Sequence, residues 1–115
     1  MKHAQSGILL RIFIGESDRY EGRPLYEAIV HKARALNLAG ATVWRGIMGY
    51  GAHSRLHTAK VLRLSEDLPI VIEIVDEEAR IQQLMPFLDE ALQEGLITME
   101  RIQVIRYRPH DQRSS

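Results

Sequence analysis

Twice along this chain a short β-rich apolar run gives way to an apolar pattern of helical period. The first run, "ILLRIFI" (8–14), has strand length, with Arg11 facing away from Leu10 and Ile12. A polar loop, "GESDRYEG" (15–22), leads to Pro24, which sits where a helix favours its first residue because that N–H has no intrahelical partner. Leu25, Ile29, Ala33 and Leu36 then recur at helical spacing, and Gly40 follows, so the pattern predicts a helix of roughly four turns. The second unit opens on "LPIVIEIV" (68–75), where Pro69 fits a strand start. Asp76 is placed to cap the next helix, with two glutamates in its first turn, and Ile81, Leu84, Leu88 and Leu92 form the apolar stripe. Pro86 implies a kink or break in that helix, and Gly95 its end.

Two further strands complete the order. "ATVWRGIMGYG" (41–51) is rich in β-branched and aromatic residues and loses regularity as glycines accumulate. "ERIQVIRY" (100–107) is the last strand, and "TAKVLRL" (58–64) either extends the central hairpin or forms a mobile arm. The order β-α-β-β-α-β predicts a ferredoxin-like α+β sandwich, a four-stranded antiparallel sheet with two helices on one face. Residues 1–107 form one domain on this reading, and 108–115 a flexible tail. The connection at 51–67 is longer than a hairpin needs, a length that goes with function or mobility.

The 115 residues hold no cysteine, which excludes disulfides and thiolate metal sites. Arg11 interrupts the N-terminal apolar run, too short for a signal peptide, and no run approaches the ~20 residues of a membrane span. The expected location is the cytoplasm. Net charge is zero, which argues against a dedicated nucleic-acid binder. Its distribution is uneven, however. Residues 28–65 carry six basic side chains and no acid, whereas 66–100 carry ten acids opposed only by Arg80. Such halves suit self-association, or attraction of an anion to the basic one.

The stretch "MGYGAHSRLHTAK" (48–60) concentrates the candidate chemistry. A Gly-x-Gly turn frees backbone N–H groups for an anion, Ser54 adds a hydroxyl, Arg55 a bidentate fork, and His57 and Lys60 further donors. The plainer account is that Gly49 and Gly51 bend the strand while the basic side chains face water. His53 and His57, four apart, would share a face only on a helix, and a zinc or copper site there stands as the alternative to surface histidines. Glu73, inside an aliphatic strand, either faces solvent on the open side of the sheet or pairs with a base such as Arg45 at a subunit boundary. The carboxylates of the Glu16–Arg23 loop alternate with arginines, a pattern of salt bridges more than of acid–base catalysis. Trp44, the sole tryptophan, reads as core or interface packing. No nucleophile elbow or Walker loop is present, so no catalytic residue is assigned and no cofactor is expected.

The segments "RIFIGESDRYEGRPLYEAIV", "GATVWRGIMGYGAHSRLHTAK" and "LSEDLPIVIEIVD" resemble the domain-of-unknown-function family 190, within the PII-like signalling proteins, over residues 8–107. The resemblance implies a homotrimer with adenine-nucleotide sites in the clefts between subunits. It also implies signalling through the 51–67 loop to a protein partner, a membrane transporter or an enzyme. Its second-strand motif is matched by Thr42, Val43 and Gly49-Tyr50-Gly51, and its third by Val71-Ile72-Glu73-Ile74-Val75. The phosphate-cradling turn that opens the last PII strand is replaced by Thr98-Met99-Glu100-Arg101, where Arg101 substitutes as the cation and both glycines are missing. The expected ligand residues are therefore Thr42, Gly49, Tyr50, Gly51, Ser54, Arg55, His57, Glu73 and Arg101. The expected protein is a non-enzymatic sensor of a small anionic effector, with a trimeric metal-binding protein using His53 and His57 as the alternative.

Overall fold

A computed structural model describes residues 5–51, 67–105 and 107–108. Among the described residues six strands and two helices follow in order: β1 (Gln5–Gly15), β2 (Arg19–Tyr20), β3 (Arg23–Pro24), α1 (Leu25–Ala35), β4 (Thr42–Arg45), β5 (Pro69–Asp76), α2 (Glu78–Ala91) and β6 (Leu96–Val104). Four of them form an antiparallel sheet in the spatial order β4-β5-β1-β6, the expected ferredoxin-like arrangement.

Alternation along β1 and β5 divides the sheet into two faces. Ile8, Leu10, Ile12 and Ile14 pair in register with Asp76, Ile74, Ile72 and Ile70, and all seven isoleucines and leucines of this set are buried. Against them pack Leu25, Ile29 and Ala33 of α1 and Ile81, Leu84, Leu88 and Ala91 of α2, so both helices cover the same face. The opposite, open face carries Leu9, Arg11, Phe13, Val71, Glu73 and Val75.

The elements depart from their sequence-based bounds for identifiable reasons. β4 is four residues long because β5, its pairing partner, begins at Pro69, and Gly46 N–H closes the ladder onto the Pro69 carbonyl at 2.7 Å. β6 starts at Leu96, four residues before the expected start, and stops at Val104, opposite Gln5, the first residue of β1. Gly95, at φ +136°, turns the chain directly onto Phe13.

α2 begins with Glu77 as its N-cap residue, not Asp76. The Asp76 carboxylate is taken up by two backbone donors, Ala39 N–H at 2.9 Å and Glu77 N–H at 2.7 Å. The helix runs through Pro86 without a break and ends at Ala91, ahead of Gly95. The loop at 15–22 also gains order. Glu21 and Gly22 both adopt positive φ (49° and 84°), the requirement of a two-residue hairpin turn, and join β2 to β3 in a miniature ribbon. That ribbon sets Tyr20 edge-on against Phe87 at 5.2 Å and lets its hydroxyl donate to Glu90 at 2.8 Å.

Candidate functional site

The open face of the sheet has a polar centre set by the register of three strands. Arg11 on β1 lies directly opposite Glu73 on β5, and Thr42 on β4 lies opposite Glu73 from the other side. Arg11 Nε donates to Glu73 Oε2 at 2.7 Å, and Trp44 Nε1 donates to Glu73 Oε1 at 3.1 Å. Both carboxylate oxygens are thereby engaged. The Arg11 guanidinium, followed by the Trp44 indole, holds the Glu73 carboxyl below the usual carboxylate range, against the smaller opposing effect of burial. Of the two readings of Glu73, the open face is the one found, and its base is Arg11. Arg45 pairs instead with Glu16, at the other end of β4. Trp44 is not a core residue: it stands on the open face with 56% of its surface exposed.

Glu73 and Thr42 also form part of the wall of a cleft of about 970 Å³ at one end of the sheet. Ala39, Gly40 and Ala41, between α1 and β4, supply one side, and Gly7, Val75 and Val104 the floor. Asp76 and Arg80 hold that side in place from below. Asp76 accepts from Ala39 N–H, and Arg80 Nη1 donates to the carbonyl of Asn37 at 3.1 Å, fixing a residue whose φ is +64°. Tyr107 closes the cleft beyond the end of β6 and is 61% exposed. Neither Arg80 nor Tyr107 is among the residues expected from sequence. The available signal was weak: Arg80 is the lone cation in an acidic stretch, and Tyr107 is the last residue of the expected final strand.

The other expected residues lie elsewhere in the subunit. Gly49, Tyr50 and Gly51 line a separate pocket of about 120 Å³ at the opposite end of β5, together with Asp67, Pro69 and Gly95. Both described ends of the 51–67 segment thus meet at one place. Tyr50 is 78% exposed. Arg101 pairs in register with Ile8, so it projects on the helix-covered side of the sheet, where Nη2 donates to Glu78 Oε1 at 3.2 Å. Ser54, Arg55 and His57 lie outside the described residues, as does the His53/His57 pair. Among the described residues no group of three or more histidines and carboxylates is placed to hold a metal.

The Glu16–Arg23 loop is structural in its bonding. Ser17 donates twice to Asp67, Asp18 accepts from Gly15 N–H at 3.0 Å, and Arg19 donates to the Gly22 carbonyl. Arg23 contacts the His31 ring at 3.3 Å. Among the described residues no helix is long and apolar enough to cross a membrane.

Comparison with known proteins agrees with this fold. The DUF190 family, described as Uncharacterized ACR, matches residues 7–104. A UPF0166 protein of Aquifex aeolicus is 42% identical over 99 residues, covering 84% of this chain and 91% of its own. A UPF0166 protein of Methanocaldococcus jannaschii is 38% identical over 90 residues, covering 77% of this chain and 82% of its own. Among solved structures, CPII from Thiomonas intermedia K12 bound to ADP, AMP and acetate superposes with a TM-score of 0.62 at 18% identity, over 90% of this chain and 93% of that one. A protein from Thermus thermophilus described as PII-like gives 0.60 at 18% identity, over 89% and 92%. At such identities the structural likeness speaks to the fold.

Proposed function

The chain belongs to the DUF190 family and carries a PII-like fold, and from that premise we propose that it is a non-enzymatic regulatory protein binding an adenine nucleotide. The cleft bounded by Thr42, Glu73 and the 39–41 backbone is the proposed site, and its position is the observation that carries the reading. It lies at the exposed β4 edge, where a neighbouring subunit can close it, and Glu73 joins it through one hydrogen bond to the open face. A fold neighbour, CPII, holds ADP and AMP. Two features support a homotrimer. The open face exposes Trp44, Val75 and Leu96 beside Phe13 and Val71, an apolar surface of the kind that another subunit covers. The remaining expected ligand residues, Arg101 and the Gly49–Gly51 turn, are outside the cleft of their own subunit and would complete a site only from a neighbour's.

In this reading nucleotide occupancy is passed to a partner, a transporter or an enzyme, through the 51–67 segment, which carries Ser54, Arg55 and His57. Calorimetric titration with AMP, ADP, ATP and cyclic AMP tests the proposal, with the fluorescence of Trp44 as a second readout because its indole bonds a cleft residue. Saturable binding at about 10 μM or tighter, near −7 kcal/mol, is the expected result. A flat trace across the panel overturns it.

A further inference from the structure

Any anionic ligand in the cleft needs a cation, and Arg101 is not in its lining. Arg80 is the one basic side chain among the described residues that are. Its single side-chain hydrogen bond among the described residues, from Nη1 to the Asn37 carbonyl, orients the guanidinium along the wall. A guanidinium carries five N–H groups in a rigid fork, so most of its donors remain for an acceptor within the cleft. Three carboxylates also line this space, yet two of them are already satisfied. Glu73 is held by Arg11 and Trp44, and Asp76 by the Ala39 and Glu77 backbone. Glu78, the next acid along α2, turns to Arg101. None of them pairs with Arg80 among the described residues.

Resting on the nucleotide reading above, we propose that Arg80 is the residue that recognises the ligand's anionic group, and that the cleft favours one phosphoryl group over three. The limit on charge follows from the same inventory. The subunit's own lining offers one guanidinium, with the exposed Glu77 carboxylate on the same helix end, so a single phosphoryl group meets a cation there while a triphosphate's further charge is left unopposed.

Full-length wild-type protein, Arg80→Gln and Arg80→Lys are titrated with adenosine, AMP and ATP. Glutamine keeps a donor for the Asn37 carbonyl while removing the charge. The wild type should bind AMP at least about tenfold tighter than adenosine, as a charged hydrogen-bonded pair allows, and ATP no tighter than AMP. Arg80→Gln should abolish the AMP preference with adenosine affinity unchanged, and Arg80→Lys should restore part of it. Equal losses of adenosine and AMP binding in Arg80→Gln would mean that the side chain only shapes the wall, and would overturn the proposal. If no adenine compound binds, the nucleotide reading fails, and inorganic phosphate decides Arg80 separately. Amide shifts at Asn37, Ala39 and Arg80 in the wild type and not in Arg80→Gln sustain it, and their absence overturns it.

Discussion

Glu73 shows how one side chain can link a cleft to a sheet face. Its pairing with Arg11 is a directly opposed cross-strand contact, and both partners keep part of their surface in water, at 38% and 28% side-chain exposure for Arg11 and Glu73. The effect on stability is therefore modest, but its pH dependence has a definite sign. A carboxyl whose folded pKa lies below its unfolded value contributes stability that is complete above the unfolded value. That contribution is lost as pH falls through the folded pKa. Denaturant titrations of wild type and Glu73→Gln should differ most near neutrality and converge as pH drops below about 4.5, the ordinary value of the group. Parallel curves over that range would contradict the ion pair. Arg101→Ala separates the two candidate cations: with the cleft reading it leaves the trimer intact, and it lowers nucleotide affinity only if a neighbouring subunit lends that side chain to the site.

At the level of elements, the turn between α2 and β6 is the most constrained. A Cβ on Gly95 would lie 2.8 Å from the Phe13 carbonyl oxygen, at a φ that L residues rarely adopt. Gly95→Ala should destabilise the protein by about 1–3 kcal/mol, whereas Gly40→Ala, with open space around it, should stay within about 0.5 kcal/mol of wild type. Chemical denaturation of the pair tests this, and equal midpoints would show that the turn relaxes. The helical layer is sensitive in a different way. Leu84 is fully buried between sheet and helices, so Leu84→Ala should cost about 2–5 kcal/mol by leaving a cavity; a smaller loss in the same assay would mean that the layer collapses around it.

At the scale of the whole molecule, the sheet has one face covered by helices and one that no other described element covers. A four-stranded sheet with Phe13, Val71, Val75 and Trp44 on its open side has a surface that association would remove from water. Val71→Glu places a charge in the middle of that surface without touching the core. Sedimentation should find wild type at three times the 13.2 kDa chain mass and Val71→Glu at the mass of one chain, with unchanged far-ultraviolet circular dichroism. A wild-type monomer would remove the inter-subunit part of the proposed function and leave the cleft itself to be tested.

The local signals in the chain were sufficient for the order of elements, because period-2 alternation in 8–14 and 68–75 and the stripes Leu25–Ala33 and Ile81–Leu88 depend only on near neighbours in sequence. They also marked Glu73 as a carboxylate that needed a partner. Its partner was beyond their reach: Arg45 stood as the expected base, and only the β1–β5 and β4–β5 registers put Arg11 opposite Glu73 and Arg45 opposite Ile70 instead. The same holds for the bounds of β4 and β6, which stop where their partner strands stop. The candidate ligand residues show the limit most clearly. Thr42 and Glu73 were legible as motif positions and do share a cleft, but Gly49–Gly51 lie at the opposite end of β5 and Arg101 on the other face of the sheet. Arg80 and Tyr107 had no motif to announce them, since a cleft is a property of elements distant in sequence and only their packing in three dimensions forms it.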